Sequence, residues 1–329
     1  MIKTPVCIIT ANNKPLNELI SSRIISVTVT DNRANEADEL SIVLDDSDGA
    51  LELPKRGVKL NCKMGYLGED IHDKGDFVVD ETEWSGTPDL ITVKASSANF
   101  KSKIKEAKSK SYHRKKFGEI ASEVAKNHEL TLVMTADLKA INLAHVDQTN
   151  ESDLNLLQRL ARQNGAEMAV KKDRLLIFKA GSAKTASGRD LPAIILSRKD
   201  GDQFRYSEQD HESDHTGVSA SYQDTGKAKR EKAVAGDKGK VKHLKGTFAN
   251  KEEAERASKA KMAEIKRQMA KFSITTAHGI PEISTESPVK LDSFKTEIDK
   301  LKWIVEKATH SYAKSGGLTT QLELESNLK

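Results

Sequence analysis

Apolar and polar side chains alternate with a period of two along most of the first hundred residues. Ile25, Val27 and Val29 are separated by serine and threonine, and the same pattern recurs in segments 40–44, 58–66, 77–84 and 90–95. A period of two places one apolar face against a core and one polar face in solvent, as in antiparallel sheets and small barrels. We therefore predict a β-barrel domain of short strands over residues 1–98.

Helical periodicity begins after a basic segment at residues 101–116. Apolar residues from Phe117 to Ala125 recur every three or four positions, which predicts an amphipathic helix. A second helix is predicted between Asn150, as its N-cap, and Gly165, as its left-handed C-terminal residue. A β-hairpin is predicted over residues 167–179. We assign residues 99–185 to a small α+β domain with a basic lead-in.

Strand patterns return in the last part of the chain and flank one long helix. The predicted strands cover residues 191–198, 217–223, 241–248, 289–294, 303–312 and 318–325. The helix is predicted over residues 251–271, with Asn250 and Glu253 as its capping box, and its apolar face extends to Phe272. The charged segment 224–240 is predicted to be a long mobile loop. We assign residues 186–329 to a second β-barrel domain, so the fold class is α+β and mainly β.

The composition narrows the classes of function. Lysine and arginine number 53 against 49 aspartates and glutamates, a formal net charge of +4 that is too small to mark a dedicated nucleic-acid-binding protein. No apolar run approaches the roughly 18 residues that a membrane helix needs, so we expect no stable membrane insertion. Two cysteines are too few for a disulfide framework or a cysteine-rich metal site. We expect a soluble protein that is made in the cytoplasm.

One short motif matches a catalytic pattern. Residues His211-Glu212-Ser213-Asp214-His215 have the spacing of the zinc-peptidase HExxH motif, in which two histidines on one helical face hold zinc and the glutamate activates water. The surrounding residues carry no apolar stripe that would seat a helix, and Gly217 begins a predicted strand. A polar loop leading into a strand is therefore the preferred interpretation, and a zinc hydrolase remains the alternative.

The basic segment 101–116 offers a second alternative, a nucleic-acid-binding module. It contains one aromatic residue, Tyr112, so it lacks a platform for stacking bases. A solvated linker or a surface facing an acidic partner fits better. His310, in a predicted strand, is interpreted as a packed or hydrogen-bonded histidine. We assign no catalytic, cofactor-binding or metal-ligating residue, and we expect no cofactor and no enzymatic activity.

Four segments of this sequence carry a resemblance to a known family. They are residues 75–81 (GDFVVDE) with 84–89 (WSGTPD), 147–154 (DQTNESDL) with 157–162 (LQRLAR) and Gly165-Ala166, 216–222 (TGVSASY), and 303–305 (WIV) through His310 to 316–325 (GGLTTQLELE). In these segments the chain resembles the phage late-control protein D family, the tail hubs of contractile-tailed phages. It is also similar to the hubs of contractile bacteriocins and to the N-terminal part of type VI secretion spike proteins.

The resemblance implies a structural baseplate hub, located in the tail baseplate of a virion or bacteriocin particle. It implies two tube-protein-like barrels in each subunit, flanking the small domain, and a homotrimer that adapts a sixfold tail tube to a threefold spike. The implied partners are the central spike protein, the tail tube protein, the tape-measure protein and baseplate wedge proteins, with DNA only as cargo through the central channel. The last strand ends close to residue 329, so no appended spike, lysozyme or effector domain is expected.

Overall fold

The computed structural model describes residues 3–33, 36–97, 102–171, 173–208, 215–224 and 229–326. Strands predominate over helices within these ranges, and the predicted class, α+β and mainly β, is confirmed. No helix in the described part of the chain is long and apolar enough to span a bilayer.

The first region consists of strands and one short helix. Its elements are β1 (Pro5–Ala11), β2 (Lys14–Pro15), α1 (Glu18–Ser22), β3 (Ile24–Asn32), β4 (Glu39–Asp45), β5 (Lys59–Tyr66), β6 (Ile71–Ser85) and β7 (Leu90–Ser97). The alternation predicted for β3 holds at Val27 and Val29, which are buried, but not at Ile25, which is 41% exposed where the pairing with β4 shifts register between Ile24 and Ser26. The predicted strands of this region are all present, and β1 is an additional one.

The middle region combines helices with two small sheets. Its elements are β8 (Ala107–Lys116), α2 (Phe117–Asn127), β9 (Thr131–Met134), α3 (Ala136–Lys139), β10 (Asn142–Ser152), α4 (Asp153–Gln163), β11 (Ala166–Lys171) and β12 (Arg174–Lys179). Strand β8 pairs with β10, whereas β12 pairs with β11 on one side and with β9 on the other. The two predicted helices and the predicted hairpin are confirmed.

Two predictions for this region need correction. The basic segment is not a linker: most of it forms β8, because β10 supplies a partner strand that the local sequence does not reveal. The N-cap of α4 is Ser152, whose Oγ accepts a hydrogen bond from the Asn155 amide at 3.2 Å, and Asn150 lies two residues earlier with a positive φ. Gly165 does have the predicted left-handed conformation, with φ of 69°.

The last region contains the greatest number of strands. Its elements are β13 (Ile194–Ser197), β14 (Gly201–Glu208), β15 (Gly217–Asp224), β16 (Lys229–Gly236), β17 (Val241–Phe248), α5 (Lys251–Arg267), β18 (Ala270–Thr276), β19 (Pro288–Asp292), α6 (Thr296–Asp299), β20 (Trp303–Ala313) and β21 (Gly317–Ser326). The capping box of α5 is present, since Asn250 Oδ1 accepts from the Glu253 amide at 2.9 Å.

The mobile loop predicted over 224–240 and the end of the predicted long helix are wrong. Strand β16 occupies residues 229–236 and pairs along its length with β15. Helix α5 ends at Arg267, and Phe272 lies in β18. Apolar residues at 270, 272 and 274 alternate in this strand, and the alternation overlaps the last positions of the helical pattern.

Strands from the first and last regions form one continuous sheet. Its order is β14–β18–β21–β20–β3–β4–β7–β6–β5–β1–β2, and β19 joins β20 to β13. The two regions meet where β20 pairs antiparallel with β3, from Lys307 opposite Asn32 to Ala313 opposite Ser26. Strands β15, β16 and β17 lie outside this long sheet and form a separate one, which α5 covers on one face.

Separate hydrophobic cores lie within this arrangement. One is built on the first region around Val27, Met64 and Phe77, and another on the last region around Phe272 and Trp303. The middle region has its own core, and a small cluster joins α5 to β15 and β16. The long sheet therefore carries two β units, each with its own apolar interior.

Candidate assembly edges and the charged junction

Both ends of the long sheet are open within the described residues. Strand β14 pairs with β18 on one side only. At the other end, β1 pairs along its length with β5, whereas β2 covers only Thr10 and Ala11 of its other edge. An open edge presents unpaired amide and carbonyl groups, which are a template for pairing with another chain.

Apolar side chains accompany each open edge. Phe204 of β14 is 39% exposed, and its ring lies 5.3 Å from that of Phe294 and 5.2 Å from the Arg198 guanidinium. Ile8 of β1 is 40% exposed. These side chains are placed where an added strand would cover them, so the two ends of the sheet are the candidate assembly surfaces.

Buried charges hold the three regions together at one junction. Arg33, which follows β3, contacts Glu286 at 2.6 Å, Glu325 at 2.5 Å and Glu167 of the middle region at 3.5 Å. Arg267, at the end of α5, contacts Glu325 at 3.2 Å. Residues distant in sequence thus share one cluster of alternating charge, which we call the Arg33 cluster (Arg33, Glu167, Arg267, Glu286 and Glu325).

Burial sets the protonation behaviour of the Arg33 cluster. It raises the pKa of Glu167 to about 7, although Arg33 opposes this shift. Burial also raises the pKa of Glu286, with Arg33 again opposing. For Arg33, burial favours the neutral form, but the three carboxylates outweigh it and hold its pKa above the usual range. The guanidinium is therefore a permanent charge on which the buried carboxylates depend.

A second ionic contact joins the first and middle regions. Lys171 Nζ lies 2.6 Å from Asp31 Oδ1 and 3.1 Å from Asp38 Oδ2, and Asp31 also accepts a hydrogen bond from the Thr285 amide at 3.0 Å. Burial would raise the pKa of Asp31, yet Lys171 lowers it overall. Burial raises the pKa of Asp38 to about 6.

His310 is packed and hydrogen-bonded, as predicted from its strand. Lys74 Nζ donates to His310 Nε2 at 2.8 Å and to the Pro281 carbonyl at 2.5 Å, and His310 Nδ1 lies 3.0 Å from Thr320 Oγ1. Burial lowers the pKa of His310 to about 3 and that of Lys74 to about 8. The imidazole is consequently neutral at physiological pH and links the two halves of the long sheet.

These contacts surround a cavity of about 470 Å³ where the three regions meet. Its lining includes Asp31, Asp38, Lys74, Lys171 and Glu286. Acidic and basic groups neutralise one another in the contacts described above, so this arrangement suits a structural junction between regions.

Two sequence features suggested alternative functions: the HExxH match at residues 211–215 and the basic segment 101–116. His211 and Glu212 of the HExxH match lie outside the described residues. His215 precedes β15, and its buried Nδ1 has no hydrogen-bond partner among the residues that the structure describes. Within the described ranges, no cluster of three or more His, Cys, Asp or Glu side chains could hold a metal ion.

The basic segment 101–116 is partly neutralised by its neighbours. In β8, Lys108 contacts Asp153 at 2.7 Å and Lys110 pairs with Glu123, so neighbouring carboxylates offset part of the positive charge of this segment.

Comparisons with known proteins agree with this architecture. The family described as phage tail baseplate hub (GPD) matches residues 93–316, more than half of the chain. The chain belongs to the phage tail baseplate hub family. It is 38% identical to the probable baseplate hub protein of Escherichia phage 186, over 98% of this chain and 93% of that protein. It is 35% identical to the probable baseplate hub protein of Escherichia phage P2, over 99% and 94% of the two chains.

A solved structure shares the fold of this hub protein. The tail protein from Neisseria meningitidis MC58 superposes with a TM-score of 0.72 at 13% identity, covering 98% of this chain and 96% of that one. The predicted family is thus confirmed, and so is the predicted role as a structural baseplate hub. The buried junction and the open sheet edges carry no sequence motif, and the edge strands β1 and β14 are not among the predicted strands.

Proposed function

We propose that this hub protein forms a ring of three copies at the tail tip, by pairing of β14 in one copy with β1 in the next. The observation that carries the proposal is the long sheet with two different open ends. A contact between two different surfaces is head-to-tail, and it closes into a ring when the rotation per copy divides a full turn. Ring closure would pair both of these edges, whereas β13 would keep an unpaired outer edge, since among the described strands it pairs only with β19.

The two β units of each copy allow the ring to match a sixfold partner on one side and a threefold partner on the other. Three copies present six β units to a sixfold tail tube, while the ring itself keeps threefold symmetry for the central spike. We propose residues 1–98 and 186–329 as the two tube-like parts and residues 99–185 as the smaller domain between them. The tail tube, central spike, tape-measure and wedge proteins are the proposed partners, DNA passes through the ring as cargo, and the role includes no catalytic step.

The proposal is tested by measuring mass in solution. Light scattering of the purified chain, alone and with the central spike protein of the same tail, should give a hub mass three times 36.2 kDa in at least one of the two samples. A hub that stays monomeric in both samples would contradict the ring.

Proline variants locate the interface. Successive N–H groups of a strand point to opposite edges, and proline removes the N–H at its position. One of the two variants Ser207→Pro and Glu208→Pro therefore disrupts the pairing with β18. The other blocks only the open edge of β14. We expect the variant that keeps the thermal stability of the monomer to lose the trimer. Retention of the trimer in that variant would assign the interface to another surface.

A further inference from the structure

The small sheet of β15, β16 and β17 has one covered face and one exposed face. Ala220 and Tyr222 of β15, Ala233 of β16 and Ala254 of α5 form one buried cluster, which identifies the face that the helix covers. Because side chains alternate along a strand, residues 230, 232 and 234 of β16 lie on the opposite face, and all three are exposed.

The pairing register extends this exposed face across all three strands. Ser219 lies opposite Val234 and beside His243, and Ser221 lies opposite Lys232 and beside Thr247. We call this surface the basic face; its exposed or half-buried members are Ser221, Gln223, Arg230, Lys232, Val234, His243, Lys245 and Thr247, whereas Ser219 on the same side of β15 is buried. It combines cationic side chains with hydroxyl and amide groups.

Among the described residues, no carboxylate neutralises the positive charge of the basic face. No carboxylate of the described strands shares it, since Glu231 lies on the covered face and accepts a hydrogen bond from the Tyr222 hydroxyl at 2.7 Å. Neither Lys232 nor Lys245 has an ion-pair partner among the described residues. In β8, by contrast, Lys108 and Lys110 are paired with carboxylates.

Helix α5 anchors this sheet to the middle region from its covered side. Arg256 donates to Asn164 Oδ1 and to the Asn142 carbonyl, both at 3.1 Å, and Glu253 accepts from the Ala144 amide at 2.8 Å. The helix therefore lies between the sheet and the middle region, and the basic face is directed away from them.

We propose that the basic face binds the phosphate backbone of double-stranded DNA. Lysine, arginine, serine and threonine are the side chains that contact phosphate oxygens in protein–DNA complexes. The cores of protein–protein interfaces are rich in aromatic and apolar anchors, whereas Val234 is the large apolar side chain exposed here. No phenylalanine, tyrosine or tryptophan among the described members offers a stacking platform, which favours a duplex over single strands.

The test measures binding of a fluorescent 24-base-pair duplex by anisotropy, over a range of salt concentrations, with the full chain. The double variant Lys232→Gln/Lys245→Gln removes two cations from the basic face. Each phosphate contact contributes about 0.9 to the slope of log K against log salt, so the slope should become shallower by about 2. At 0.1 M salt this corresponds to a loss of affinity on the order of 50-fold.

The control removes the same charge elsewhere. Lys59→Gln/Lys63→Gln alters two exposed lysines on β5 and should change the affinity less than threefold. An equal loss in both variants, or no loss in the first, would overturn the proposal. The proposal would also be overturned if the chain did not bind the duplex but bound phosphatidylglycerol vesicles, and if Lys232→Gln/Lys245→Gln lost that vesicle binding. Because the basic face is separate from the open sheet edges, the result is independent of whether the chain forms a ring.

Discussion

The two halves of the long sheet are built differently. Strands β1 to β7 come from one uninterrupted stretch of chain, and most core-facing residues of β3, β4, β5 and β7 follow a period of two. The other half is interrupted, because the sheet of β15–β17 and helix α5 are inserted between β14 and β18, which pair with each other. Local pattern is sufficient to predict β3 to β7 in the first half, whereas β14 and β18 of the second half depend on a pairing across the insertion.

The strongest test asks whether two halves so differently built unfold as one unit. Phe77 and Phe272 are each 1% exposed and lie in separate cores. Replacing either by alanine should lower the free energy of unfolding by about 3–5 kcal/mol. Since β20 pairs with β3, both variants should shift one common transition in urea, monitored by circular dichroism. Two transitions, of which each variant shifts only one, would show that the halves are independent.

The Arg33 cluster is a second contact between the two halves, and removing its charges tests how much this contact contributes to stability. Arg33→Met leaves Glu286 buried without its cation and leaves Glu325 with Arg267 alone, so it should cost about 3–5 kcal/mol in urea unfolding. Adding Glu286→Gln to that variant should recover part of the loss, because the uncompensated charge is removed. Lys94→Met, at an exposed pair with Glu81, should cost less than about 1 kcal/mol. Equal effects at the two sites would contradict a junction role.

His310 should make the contact between the halves sensitive to acid. Its pKa is about 3 in the folded chain, against about 6.5 for an exposed histidine. Below pH 6.5 the unfolded chain therefore binds a proton that the folded chain does not, so stability falls as the pH is lowered. The loss due to His310 should be about 2 kcal/mol between pH 6.5 and pH 5.

Comparing variants isolates this effect from other groups. Glu167 and Asp38 have raised pKa values and act in the opposite direction, with stability lost as the pH rises. The measurement is therefore the difference in unfolding free energy between the wild type and His310→Gln at each pH. Gln321→Ala, at an exposed position of β21, removes no titratable group and is the control; its difference from the wild type should not vary with pH. For His310→Gln, a difference that does not vary with pH would contradict a buried neutral imidazole.

The smallest effect compares two asparagine caps. Asn250 caps α5, which buries Ala254 and Ala257, whereas Asn17 caps α1, in which no residue is buried. Asn250→Ala should lower stability by about 1 kcal/mol. Asn17→Ala should lower it by only a few tenths, because the short α1 contacts the core through the partly buried Ile20. Thermal unfolding of the two variants measures both losses of stability. A larger loss for Asn17→Ala than for Asn250→Ala would contradict this prediction.

The difference between the halves also explains what could be predicted from sequence. Strands β3 to β7 follow from alternation alone. Phe272 was assigned to the long helix because its spacing fits both a helix and a strand, and only the pairing of β18 with β21 decides between them. The partners of Arg33 lie more than a hundred residues away, so no local pattern could identify them.

The pairing of β20 with β3 has a consequence for synthesis on the ribosome. Strand β3 is complete at residue 32, but its neighbour β20 begins only at residue 303. At roughly 5–20 residues per second, the nascent polypeptide waits on the order of 15–50 seconds before the two can associate. During that interval the amino-terminal strands present an uncapped hydrogen-bonding surface, which makes chaperone dependence and temperature-sensitive yield natural properties of this polypeptide.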